Sequence, residues 1–138
     1  MSAQQLAILS AGVFFLTGLV TGIWKWRKIM TSPQAEAPYY VNIAHRAALL
    51  YSFAAVLLAV FAARSAWPEI WNLIGVIGNV VFYAAAIAMY CLHGYLQDTD
   101  NQLQRPHKVG KGEMPAWQMT LFMMLLIIGE VGGFLILF

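Results

Sequence analysis

Charged residues are scarce in this chain. They make up 10% of its 138 residues, whereas about a quarter of an ordinary soluble domain is charged. Hydrophobic residues make up 61%, and the mean hydropathy is +0.68. These values exclude a soluble globular protein and predict an integral membrane protein of a single domain. The net charge of +2 is too small to argue for a nucleic-acid partner, and the basic residues flank hydrophobic segments, as they do beside a lipid bilayer.

The chain has only one cysteine and no basic residue among its first 24 residues. The single cysteine, Cys91, cannot form an internal disulfide, and its apolar neighbours predict a packing role. A secretory signal peptide carries Lys or Arg before its apolar core, whereas the first basic residue here, Lys25, follows the core. We therefore expect an uncleaved first membrane helix.

Four apolar stretches are long enough to cross a bilayer as helices. They predict an all-α fold, an integral membrane four-helix bundle with antiparallel up-down topology, whose spans cover residues 5–24, 43–63, 70–95 and 116–138. The short connector around Trp67-Pro68 predicts a tight hairpin between the second and third helices. Gly18 and Gly22 form a small-xxx-small pair, which allows a neighbouring helix to approach the first span closely.

The basic residues predict the orientation. The positive-inside rule places the first and third loops in the cytoplasm and both termini outside, because seven of the eight basic residues flank those loops. The seven are Lys25, Arg27, Lys28, Arg46, Arg105, Lys108 and Lys111.

Polar groups at membrane depth are costly and usually face the bundle interior, a cavity or a ligand. In the third span, Asn79 and Tyr83 are four residues apart and so lie on one helix face. Hydrogen bonding between helices is one explanation of this polar face, and a pocket wall is the other. Near the middle of the span, the Tyr83 hydroxyl needs a partner.

His45 lies in the first turn of the second span. It is either an interfacial histidine that meets lipid headgroups or a ligand of a metal or haem iron. Ala48, Leu49 and Ser52 follow it at helical spacing, so the wall beside it is small and smooth enough for a flat macrocycle.

Glu130 is the lone carboxylate of the fourth span. We expect it to be protonated, bonded to another helix or lining a cavity, with a packing role favoured over a chemical one. His107 in the third loop is expected to be solvated, and His93 is a weaker ligand candidate than His45.

The chain resembles the styrene oxide isomerase family. The resemblance rests on Ala44-His45 at the start of the second span, on the segment Asn79-Val80-Val81-Phe82-Tyr83 in the third span, and on the polar loop and apolar span that follow. It covers the whole chain in layout and a handful of positions in residues.

The resemblance implies a small bacterial inner-membrane protein that binds haem b and converts an epoxide to an aldehyde by a Lewis-acid (Meinwald-type) rearrangement. His45 would be the axial ligand of the iron, while Asn79 and Tyr83 would orient the epoxide oxygen. The other expected site residues are Ala48, Leu49 and Ser52 beside the haem and Tyr51, Phe82 and Ala86 in the substrate pocket. The implied substrate is a small apolar epoxide, and the implied assembly is a homotrimer with haem near the subunit boundary.

Two departures from the family pattern accompany the match. The family has a second pocket asparagine six residues after its haem ligand, where this chain has Tyr51, and a Ser-Gly-Pro run where this chain has Arg46-Ala47-Ala48. Two other functions stay open: a b-type electron carrier, in which His93 or a histidine from a neighbouring subunit is the second ligand, and a haem-free scaffold or transporter subunit.

Overall fold

Four long helices dominate the computed structural model, which describes residues 1–138. They are α1 (Ala3–Thr31), α2 (Tyr39–Arg64), α3 (Glu69–Leu96) and α4 (Ala116–Leu137), each long and apolar enough to span a membrane. Every predicted span lies within or almost within one of these helices. The predicted all-α membrane bundle is therefore confirmed, and α1 continues beyond residue 24 through the basic residues that follow the apolar core.

Local sequence accounts for where the helices begin. Ser2 and Gln5 form a capping box at the start of α1, in which each side chain accepts a hydrogen bond from the other's backbone amide. α2, α3 and α4 each begin directly after a proline, at Pro38, Pro68 and Pro115. Proline disfavours helical geometry in the residue before it, so each of these helices has a defined start.

Alanine allows α1 and α2 to pack closely, and these two helices share the most extensive interface of the bundle. The Gly18 and Gly22 pair lies in it, as predicted: a Cβ at Gly18 would be 2.6 Å from Leu49 Cδ2, and one at Gly22 would be 3.0 Å from His45 Cε1. The neighbouring helix that approaches closely is therefore α2.

Two buried clusters form the core. The first lies at the end of the bundle that holds the start of α1 and contains Ala3, Ala7, Leu58, Ala59, Ala62, Val76 and Leu137. The second contains Ala11, Phe14, Ala48, Ala55 and Ile87. The start of α1 is also tied to the start of α3, because the Ala3 amide donates to the Glu69 carboxylate.

A small hairpin interrupts the third loop, which was predicted only as a polar connection. Strands β1 (His107–Val109) and β2 (Gly112–Met114) pair antiparallel, with Val109 opposite Gly112. The two-residue turn between them requires a positive φ, which Gly110 supplies at 61°. Three-residue strands are too short to be recognised from hydrophobic alternation.

Candidate functional site

The helices α3 and α4 cross at two pairs of glycines. A Cβ at Gly75 would be 2.7 Å from the Gly133 carbonyl oxygen, and one at Gly78 would be 2.9 Å from the Gly129 carbonyl oxygen. Backbone therefore meets backbone at this crossing, as small residues permit between membrane helices. Beyond the crossing, α4 turns away from the bundle, and none of residues 116–127 is buried.

The divergence of α4 from the bundle opens a cavity of about 430 Å³. Its volume lies within the range of about 300–1,000 Å³ that is usual for small-molecule sites. The lining residues from α4 are Gln118, Met119, Phe122, Met123, Leu126 and Glu130. Those from the other helices are Tyr51, Ala86, Met89 and Tyr90, and those from the third loop and hairpin are Gln102, Leu103 and Met114.

Two polar groups of the cavity lack hydrogen-bond partners. Glu130 Oε1 and Gln102 Oε1 are both buried, and neither accepts a hydrogen bond from the chain. Glu130 lies in a π-helical turn of α4, residues Ile128–Gly132, a distortion that is frequent at functional sites. Of the roles considered for Glu130, lining a cavity is the one that the structure supports, and no hydrogen bond joins its side chain to another helix.

The predicted pocket residues divide between the cavity and its surroundings. Tyr51 and Ala86 line the cavity. Tyr83 lies behind Tyr51, with the two rings stacked at a centroid distance of 4.4 Å and an interplanar angle of 9°. Phe82 packs between α3 and α4, where its ring meets Phe122 edge to face.

Asn79 is buried and its side chain is hydrogen-bonded. Its Nδ2 donates to the Gly75 carbonyl at 2.9 Å, and its Oδ1 accepts from the Tyr83 hydroxyl at 3.2 Å. A Cβ at Gly133 would lie 2.7 Å from Asn79 Nδ2, so the amide also contacts α4 at the glycine crossing. The Tyr83 hydroxyl thus has its expected partner within the same helix.

His45 faces α1. Its Nδ1 is 2.8 Å from the Gly18 carbonyl oxygen. A carbonyl oxygen only accepts hydrogen bonds, so Nδ1 is the donor, and in the neutral tautomer with this proton Nε2 carries the lone pair. Nε2 has no hydrogen-bond partner in the chain, and it is not fully buried. The imidazole therefore has one nitrogen free for a ligand.

The wall beside His45 is largely covered by α1. Ala48 is fully buried, Ser52 is 3% exposed and donates to the Leu49 carbonyl, and Leu49 itself packs on Gly18. Tyr51 follows His45 by six residues, which places the two side chains about 120° apart around α2. The structure therefore does not bring His45 into the cavity that Tyr51 lines.

A buried contact between a histidine and a carboxylate closes the loop end of the bundle. α3 ends at Gln97, whose left-handed backbone (φ 50°) turns the chain so that Asp98 Oδ1 lies 2.8 Å from His93 Nδ1. Asp98 Oδ2 accepts from the Gly110 amide, which joins the hairpin to α3. Burial opposes ionisation of Asp98, but the bonds from His93 and Gly110 outweigh it and hold the pKa of this carboxyl below its usual value.

The prediction that His107 is solvated is wrong. His107 is only 6% exposed, and its Nδ1 donates a hydrogen bond to the Gln102 carbonyl at 3.2 Å. The Gln102 amide in turn donates to the Tyr40 hydroxyl at 2.7 Å. The loop folds over the end of the bundle and buries a histidine that an extended polar loop would have left in water.

The fold defines a multi-pass membrane protein with a cavity between α4 and the rest of its helical bundle. No group of three or more His, Cys, Asp or Glu side chains is placed to hold a metal ion. No family model, no curated protein and no solved structure matches the chain.

Proposed function

We propose that this protein binds haem b through His45 and converts a small apolar epoxide to an aldehyde, as the resemblance to the styrene oxide isomerases implies. One observation supports the ligand assignment above all others: Nδ1 of His45 is held by the Gly18 carbonyl, and Nε2 is free. Histidines that bind metals usually donate their second nitrogen in this way, which fixes the tautomer and the orientation of the ring. The donor chemistry of His45 therefore fits an axial haem ligand.

The site would be completed between copies of the chain. His45 is half-buried against α1, on a different side of α2 from the cavity, and its free nitrogen is not enclosed by the chain's own helices. This arrangement fits a haem near a subunit boundary, and the resemblance implies that the assembly is a homotrimer. The protein would lie in a bacterial-type inner membrane, with its first and third loops in the cytoplasm and both termini outside.

When bound, the haem iron would supply a Lewis-acidic position that polarises the epoxide oxygen. Tyr83 and Asn79 lie on a different side of α2 from the His45 of their own chain, so they would orient the oxygen of a substrate at the haem of a neighbouring copy. The Tyr83 hydroxyl would then exchange its bond to Asn79 for one to the substrate. The Tyr51 ring, stacked on Tyr83, would limit the space beside the reacting carbons at the position where the family has an asparagine. The chain would thus favour a substrate of different shape from that of the family.

A haem-free scaffold is the second candidate, and the contacts of Asn79 favour it. The amide bonds within α3 and touches α4 at the glycine crossing, as expected of a residue that only joins helices. The visible absorption spectrum of the detergent-purified protein, oxidised and reduced, separates the functions. Haem with an open iron position favours the isomerase, a six-coordinate low-spin spectrum favours an electron carrier, and a colourless protein that takes up no added haem favours the scaffold.

The reaction itself is tested by incubating purified protein with styrene oxide and measuring aldehyde by gas chromatography. Formation of aldehyde that depends on both haem and Tyr83 would support the isomerase. Haem-loaded protein that turns over neither styrene oxide nor a panel of alkyl epoxides would refute it.

A further inference from the structure

We propose that the cavity between α3 and α4 binds a small aromatic molecule that carries a hydroxyl or N–H group, with Glu130 as the acceptor of its hydrogen bond. This cavity shares Tyr51 and Ala86 with the substrate pocket that the resemblance implies, but His45 does not line it, and the binding proposed here does not depend on haem. It rests on three observations: the shape of the cavity, the composition of its wall, and the unpaired oxygens at its two ends.

The cavity follows one face of α4. The spacing of Gln118, Phe122, Leu126 and Glu130 is four residues throughout, so these side chains form a single row along the helix. From the first to the last of them the helix rises about 18 Å. With a volume of about 430 Å³, the cavity is elongated and has room for a ring system together with a substituent.

The wall suits an aromatic ring. Ten of the thirteen lining residues are hydrophobic, and four of them are the methionines Met89, Met114, Met119 and Met123. Thioether sulfur makes favourable contacts with aromatic rings, and the unbranched side chain adapts to their shape. The rings of Tyr51, Tyr90 and Phe122 add edges and faces against which a second ring can pack.

The inner end of the cavity needs a hydrogen-bond donor. Glu130 Oε1 is buried there with no partner, within the π-helical turn. An ionised carboxylate only accepts hydrogen bonds, and a protonated carboxyl keeps a carbonyl oxygen that accepts them. A ligand O–H or N–H therefore satisfies this group in either state, whereas an ether or a hydrocarbon leaves its acceptor unpaired.

Gln102 forms the mouth of the cavity. Its backbone is fixed on both sides, because its amide donates to the Tyr40 hydroxyl and its carbonyl accepts from His107. The side-chain carboxamide is directed at the cavity with Oε1 buried and unpaired. A second polar group on the ligand would meet this amide, which both donates and accepts.

The probe is 2-naphthol, with 2-methoxynaphthalene as a matched probe that lacks only the donor hydrogen. Both are titrated into protein carrying ¹³C-methyl methionine in lipid nanodiscs, and protein-free nanodiscs are the blank. The seven methionines provide an internal control, because Met1, Met30 and Met124 do not line the cavity. Met124 is 56% exposed directly beside Met123.

We expect 2-naphthol to shift the methyl signals of the four lining methionines saturably and to leave those of the other three in place. Its dissociation constant should be about tenfold lower than that of the methyl ether, and Glu130→Leu should remove this difference. Equal, unsaturable shifts at all seven methyls would overturn the proposal, as would equal affinity of the two probes for the unaltered protein. The latter comparison needs no variant, so it stands even if Glu130→Leu does not fold.

The same titration on His45→Asn separates this site from the proposed haem function. Loss of haem with unchanged naphthol binding would support two independent sites. Loss of the lining methionine shifts in His45→Asn would contradict their independence and overturn the proposal as stated.

Discussion

Replacement of Gly133 by alanine should weaken the crossing of α3 and α4, whereas the same change at the adjacent Gly132 should not. A Cβ at Gly133 would lie 2.7 Å from the Gly75 carbonyl oxygen, a backbone atom that cannot rotate away. A Cβ at Gly132 would meet nothing within 4 Å. The helices must separate to accommodate the first methyl group and need not move for the second.

The expected loss of unfolding free energy follows from a comparison of the two variants. Overpacking of a tight contact costs about 1–3 kcal/mol. Alanine also changes the intrinsic helix stability at both positions, by about 0.5–1 kcal/mol relative to glycine, and this contribution cancels when the two adjacent variants are compared. Gly133→Ala should therefore be less stable than Gly132→Ala by about 1–3 kcal/mol.

The assay is reversible unfolding by sodium dodecyl sulfate in mixed micelles, followed by far-ultraviolet circular dichroism. Gly132→Ala should unfold at or above the SDS fraction of the unaltered protein, and Gly133→Ala should unfold below it. Equal midpoints for the two variants would refute the glycine crossing, and with it the geometry that opens the cavity.

Three further predictions concern the histidine, the tyrosine and the loop. Tyr83→Phe should retain the haem spectrum and lower aldehyde formation, because only the hydroxyl is lost; full activity would remove Tyr83 from the mechanism. Gly22→Val should lower haem content, because a Cβ there is already 3.0 Å from the imidazole of the ligand, whereas Gly12→Val, with nothing within 4 Å, should not; pyridine haemochrome assays measure both. The pKa of Asp98 is lowered from 3.8, so its stabilisation is present above about pH 4 and is lost as pH falls through the lower folded value. The protection factor of the Gly110 amide, the exchange rate of an unstructured peptide at the same pH divided by its own, should fall across that acid range, and Asp98→Asn should remove this fall; the same fall in the variant would contradict the assignment.

The sequence predicts the helices well because membrane depth leaves few alternatives. Apolar stretches of about 20 residues can satisfy their backbone only as helices in lipid, so the four spans follow from composition alone. The close approach at Gly18 and Gly22 agrees with the prediction from their four-residue spacing, although such pairs are common in membrane spans and Gly12 and Gly132 meet no neighbour. The identity of the partner helix cannot be predicted, because the spacing of the glycines does not show which neighbouring helix packs against them.

The cavity is harder to predict, since it depends on how α4 diverges from α3. The row from Gln118 to Glu130 is visible as a four-residue spacing, yet a row of this kind packs equally well against another helix. Its exposure to a cavity follows from the crossing at Gly129 and Gly133, a long-range contact that no local pattern encodes. The burial of His107 is missed for the same reason, because it depends on a loop that folds back over the bundle.

The role of His45 is tested most directly by the pair His45→Asn and His45→Ala. The Asn amide nitrogen can take the place of Nδ1 and keep the bond to the Gly18 carbonyl, but it has no counterpart of Nε2. We predict that both variants lose the haem Soret band, that His45→Asn keeps the unfolding midpoint of the unaltered protein, and that added imidazole restores haem binding to His45→Ala. An unaltered Soret band in His45→Asn would contradict the assignment of His45 as the haem ligand.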